Sequence, residues 1–180
     1  MKDPTLSGCR AIEMAFFETG IDGHPVFETP DFPFIQANRL ELSFTDGETL
    51  HVLTSQNDDT WCLFCSYSDD YAMNRELKHD KDSIFRLREG IDLPLGQIQH
   101  VEVKLDEKSD VTEIWVKTPS GSFIMKAGEV NECSEGNHYV VGQDESVLLF
   151  LDDVSFSQVY FRGSGLFRTN RENGLETNSR

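Results

Sequence analysis

Leu40-Glu41-Leu42-Ser43-Phe44-Thr45-Asp46-Gly47-Glu48-Thr49-Leu50-His51-Val52-Leu53 is the stretch whose reading decides the fold class. Leu40, Leu42 and Phe44 alternate with Glu41 and Ser43, the period-two pattern of a strand with one buried face. Asp46-Gly47 follows, a dipeptide that suits the type I′ turn of a tight hairpin. Leu50, Val52 and Leu53 then return. Two strands joined this closely are antiparallel, because a parallel pair needs a crossover of a dozen or more residues.

The same grammar spreads outward. Upstream, residues 9–18 alternate imperfectly as a first strand. Gly20, Gly23, Pro25, Pro30 and Pro33 then break the chain, with Phe27, Phe32 and Phe34 between them. That density of Pro and Gly predicts irregular chain pinned to the core by its phenylalanines. Downstream, residues 60–67 read as a third strand. Residues 71–78 carry loosely helical spacing and predict one short helix. Val101, Val103 and Leu105 alternate with His100, Glu102 and Lys104 as another strand. Ile114 and Val116 open the next, and residues 123–126 run back. Residues 128–137 read as an acidic loop. Residues 139–141 and 147–151 read as two short buried strands with Asp144-Glu145 between them, and residues 154–161 as a last strand.

These elements predict a mainly β protein, with α+β as the alternative: an antiparallel sheet, a sandwich or an open barrel with at most one or two short helices. Residues 1–161 form one mostly-β domain. From Arg162 the composition turns to Gly, Asn, Thr and Arg, so residues 162–180 are expected to be a flexible or arm-like tail.

Charge narrows the partners. The chain of 180 residues holds 32 Asp and Glu against 16 Lys and Arg, a net charge of −16 with a pI near 4.5. Such a field repels nucleic acid and anionic membranes and favours encounter with a basic protein. The first twenty residues carry no apolar leader, which predicts a cytoplasmic chain with reduced thiols.

Motifs of chemistry are scarce. Trp61-Cys62-Leu63-Phe64-Cys65 has the spacing of a redox centre but sits in a strand, where residues three apart face opposite sides. His24, His51, His79, His100 and His138 form neither His-x-His nor His-Glu-x-x-His. Asp58, Asp59, Asp69 and Asp70 lack the EF-hand pattern. No catalytic residue, cofactor or metal is therefore assigned, and the chain reads as a non-enzyme. The acidic clusters are the candidate site. Glu129, Glu132, Asp144 and Glu145 are the expected partner-binding residues, on loops that would share one end of the sheet.

The stretches Ala127-Gly128-Glu129-Val130 and Asp144-Glu145-Ser146-Val147-Leu148-Leu149-Phe150, in a small acidic chain rich in Phe, resemble the immunity proteins of bacterial polymorphic toxin systems. The resemblance implies direct neutralisation of a cognate toxin domain, by occluding its active site or by locking its movement. The alternative is a small-ligand or carbohydrate-binding β module that would stack a ligand on exposed Trp61, Trp115 or Tyr139.

Overall fold

The structure is a computed structural model and describes residues 4–20, 22–73, 82–132 and 138–162. Its strands are β1 (Thr5–Met14), β2 (Ile35–Phe44), β3 (Thr49–Asn57), β4 (Thr60–Ser66), β5 (Phe85–Arg88), β6 (Gly96–Gln97), β7 (His100–Leu105), β8 (Val111–Thr118), β9 (Gly121–Glu132), β10 (His138–Phe150) and β11 (Phe161–Arg162). A 3-10 turn (Asp69–Tyr71) follows β4, and the short helix α1 (Asp153–Ser157) follows β10. All the strands join one sheet along the path β4-β3-β2-β10-β9-β8-β7, with β1 added to β2 and β5 and β6 added to β1. Pairing is antiparallel except where β11 runs parallel to β10. The sheet curls into a half-barrel, so β4 lies against β8, β9 and β10 across the interior. The mainly β, antiparallel class predicted from the hairpin is the class observed.

β10 explains why the sheet needs two cores. Val147, Leu148 and Leu149 pair with Ala37, Gln36 and Ile35 of β2 on one side and with Ala127, Lys126 and Met125 of β9 on the other. A strand that central, covered on both faces, carries an unbroken apolar run. Val147 and Leu149 enter the inner core with Leu40, Leu42, Phe44, Val52, Phe123 and Met125. Leu148 and Phe150 point the other way, into an outer core with Phe16, Phe34, Ile124, Val130 and Val140. The Pro- and Gly-rich segment covers this outer face through Phe32 and Phe34, which pack with Phe16 from just before it at ring-centroid distances of 5.3–5.8 Å. Phe32 and Phe34 pin the segment as predicted, whereas Phe27 joins neither core and lies beneath the Arg86 guanidinium instead.

The deciding hairpin forms in register, with Leu40 opposite Val52 and Leu42 opposite Leu50. Its turn differs from the expectation. A type I′ turn needs positive φ at both central residues, and of Asp46 and Gly47 only Gly47 has it, at 92°. The Phe44 carbonyl accepts the Gly47 N–H at 3.1 Å, and the Phe44 N–H donates to Glu48. The turn is one residue longer, with Gly47 in the left-handed region and the Asp46 carboxylate accepting the Glu48 N–H.

Four other expectations are corrected. Residues 128–132 belong to β9 and are not loop; residues 133–137 lie outside the described residues. Residues 139–141 and 147–150 are one strand, interrupted by a bulge that spans Gly142 to Val147 opposite Gly128 and Ala127. Residues 154–160 are not a strand, and of the predicted span only Phe161 is, in β11. Asp152 caps α1 by accepting the Ser155 N–H at 2.7 Å, and Phe156 and Val159, at helical spacing, pack on the outer core. Finally, Arg162, placed in the tail by sequence, is in β11 beside Val141; residues 163–180 lie outside the described residues. Of the predicted helix over 71–78, Tyr71 ends the 3-10 turn and residues 74–78 are likewise outside them.

Candidate partner-binding surface

The bulge in β10 is where the predicted site residues meet the rest of the fold. It arises because β9 and β10 approach closely before it: Gly128 lies opposite Gly142, and a Cβ on Gly128 would fall 2.6 Å from the Val141 carbonyl oxygen. After this pair, β10 loops out through Gln143, whose φ of 56° turns the chain, and rejoins at Val147. Asp144 and Glu145 sit on the loop so formed. The Glu145 carbonyl accepts a hydrogen bond from the Thr54 hydroxyl of β3. Asn131 of β9 donates to the Asp144 carboxylate at 3.2 Å.

Glu129 points to this side of β9. Burial pushes its carboxyl up, and the charges of Glu145 and Asp144 push it further, to about 7, against a smaller opposing hydrogen bond from Ser146. Three of the four predicted residues, Glu129, Asp144 and Glu145, are thus brought together. Glu132 is not among them. Three residues further along the same strand, it projects from the opposite face, as period two requires. There it lines a groove of ≈ 1060 Å³ with Phe17, Glu18, Glu28 and His138. The expectation that all four acids lie on loops at one end is corrected accordingly.

Two further turns close on the bulge. Gln143 donates to the Asp106 carboxylate at 2.8 Å, tying the bulge to the β7–β8 turn. Asn57 donates to both carboxylate oxygens of Asp110, at 2.9 and 2.8 Å, tying that turn to the β3–β4 turn. The N–H of Asp110 above all, with those of Lys108 and the Gln143 amide, holds the Asp106 carboxyl below its ordinary range. Lys108 reaches Asp58 across the same gap at 3.3 Å. Asp58, Asp106, Asp110, Glu129, Asp144 and Glu145 therefore share one end of the half-barrel. The field is felt at Cys62, whose thiol is raised by burial and then by Asp110 and Asp106. Sequence reading picked out Glu129, Asp144 and Glu145 as partner-binding but not Asn57, Thr54, Gln143 and Asn131, which hold the acidic turns together. Nothing in their local pattern marks them.

Cys62 and Cys65 lie in β4 opposite Ser55 and Val52, on opposite faces. Cys9 is buried, which pushes its thiol up to about 12. Asp58 and Asp59 are separated from Asp69 and Asp70 by the whole length of β4. Among the described residues no group of three His, Cys, Asp or Glu side chains is arranged to hold a metal ion. The aromatic side chains of the alternative reading do not form a row. Trp115 packs edge-on to Phe156 at 5.0 Å and lies beneath Lys104, while Tyr139 lies beneath Arg162. No described helix is long and apolar enough to cross a membrane. No family profile, curated protein or solved structure matches the chain.

Proposed function

We propose that this protein is a non-enzymatic binder of a basic protein, an immunity protein that neutralises a toxin domain by seating its acidic end over a cationic active site. The observation that supports this most is the convergence of Glu129, Asp144 and Glu145 with Asp106 and Asp110 from separate turns. Like charges held together raise the free energy of the unbound protein; at Glu129 they add to the larger effect of burial, which together push the carboxyl up to about 7. An arriving Lys or Arg relieves that repulsion and gains charge-assisted hydrogen bonds. The surrounding turns are held by side-chain bonds, so little ordering accompanies binding.

The test is co-expression with the toxin encoded beside this gene, comparing the wild type with Glu129→Lys, Asp144→Lys and Glu145→Lys combined. The expected result is protection by the wild type and its loss in the triple variant, with the fold unchanged by circular dichroism. A gene neighbourhood without a toxin, or equal protection by both chains, rejects the reading.

A further inference from the structure

β7 lies at the end of the sheet. It pairs with β8 on one side, and no described strand pairs with the other. Val101, Val103 and Leu105 lie opposite Val116, Ile114 and Val111, which line the inner core. They extend that apolar face beyond its cover and are 47%, 48% and 55% exposed. Natural edge strands are usually blunted by proline, by a bulge or by inward charges. β7 has no proline, and the irregularity near Lys104 leaves the extra residue, Thr112, on β8. Its charged residues, Glu102 and Lys104, lie on the face away from the valines.

We infer that β7 pairs with the β7 of a second copy of this chain, antiparallel, about a two-fold axis through Val103. The sequence His100-Val101-Glu102-Val103-Lys104-Leu105 is self-complementary about that centre. Val103 falls opposite its own copy, Val101 opposite Leu105, and Glu102 opposite Lys104. Directly opposed side chains share a face, so the six apolar residues form one continuous row. Each Glu102 carboxylate lies beside an ammonium group of the other chain. Lys104 can serve this second acid, since its side chain is 43% exposed while it holds Glu113 at 3.0 Å.

The charges also select this register. A slip of one residue turns the valines of one chain to the polar face of the other. Moving the two-fold axis to Glu102 sets carboxylate against carboxylate, and moving it to Lys104 sets ammonium against ammonium. Only the Val103-centred pairing among these keeps the apolar faces together and the charges opposite. An isologous two-fold contact of this kind closes on itself and stops at a dimer.

The test is sedimentation equilibrium of the full chain with variants at exposed positions. The wild type should dimerise. Val103→Lys, which places two ammonium groups face to face, should raise the dimer dissociation constant by ~10-fold or more. Glu102→Lys, which sets an ammonium group opposite Lys104 of the other chain, should weaken the dimer. For register, Val103→Cys should form an intermolecular disulfide on mild oxidation, since opposed Cα atoms in such a ladder lie within disulfide range. Val101→Cys and Leu105→Cys should cross-link to each other when mixed and not alone, above the background of the native thiols. These cross-links decide the matter if any charge variant fails to fold. A wild type that stays monomeric at every concentration, or a dimer that Val103→Lys leaves intact, overturns the inference.

Discussion

The buried carboxylate of Glu41 accepts the backbone N–H of Met73 at 2.7 Å, across 32 residues of sequence. Glu41 lies on the face of β2 away from the inner core, where a strand residue would ordinarily meet solvent. The segment 66–73 crosses that face, and Arg39 fastens it by donating to the Tyr71 carbonyl. Arg10 takes the second Glu41 oxygen, and the His51 ring lies 3.3 Å from the first. Neighbouring Glu13 is likewise buried, between Arg86 at 2.7 Å and Arg88 at 2.9 Å. Glu41→Ala should therefore lower unfolding free energy by ~3–5 kcal/mol, because it leaves Arg10 and a buried N–H unpaired. Glu41→Gln, which keeps an acceptor for Met73, should lose less. Urea denaturation measures both.

How far this was legible follows from the same residues. Leu40 and Leu42 announce a strand because period two is a local signal, and the strand is there. Glu41 between them reads as solvent-facing, because nothing within β2 tells of a segment thirty residues on that covers it. Likewise Val147-Leu148-Leu149-Phe150 reads correctly as a doubly buried strand. The bulge before it reads as a turn between strands, because Asp144-Glu145 has turn composition and the β9 pairing that makes it a bulge is remote. Glu129 and Glu132 look equivalent in sequence. Period two separates them once residues 128–132 are known to be strand rather than loop. Asn57 and Gln143, which join the acidic turns, carry no local mark, since their meaning lies in partners 53 and 37 residues away.

Gly128 should tolerate no side chain. A Cβ there meets the Val141 carbonyl oxygen at 2.6 Å and Leu148 Cδ1 at 3.0 Å, and both belong to a paired strand that cannot retreat. Gly128→Ala should destabilise by ~1–3 kcal/mol. Gly8 in β1 has open space around its hypothetical Cβ. Gly8→Ala should be neutral, or stabilising by up to ~1 kcal/mol. Thermal melts of the two variants, read side by side, check the contrast.

Glu113 should set an acid limit on stability. Burial alone would raise its carboxyl, but hydrogen bonds from Lys126, Trp115 and Lys104 outweigh it and hold it down to about 2. Its ordinary value is 4.5, so the stabilisation is fully present above pH 4.5 and is lost as pH falls through 2. Glu113→Gln should cost about 2 kcal/mol at pH 7, with Lys126, nearly buried, losing its 2.7 Å partner. The difference from wild type should shrink as pH falls below 4.5. Denaturation midpoints across that range provide the check.

Glu129 should behave in the opposite sense and should report binding. Its carboxyl is raised to about 7 from 4.5, so between those values the folded protein holds a proton that the unfolded chain has released. Stability contributed by this group is therefore present below pH 4.5 and is lost as pH rises through 7. Glu129→Gln should leave the melting temperature unchanged at pH 4 and raise it at pH 8. After allowance for solvent screening at this partly exposed site, the gain is on the order of 1 kcal/mol, or about 2–4 °C for a chain of this size. A basic partner seated against Glu129, Asp144 and Glu145 favours the ionised carboxylate, so binding near pH 7 should expel a proton. Calorimetry with the proposed basic partner in buffers of different ionisation enthalpy reads that proton directly. The association rate should also fall with salt, since screening shortens the reach of the acidic end to ~8 Å at physiological ionic strength. Glu129→Gln should abolish the proton release while leaving much of the salt dependence to Asp144 and Glu145. Proton release that persists in Glu129→Gln would place the contact elsewhere on the surface.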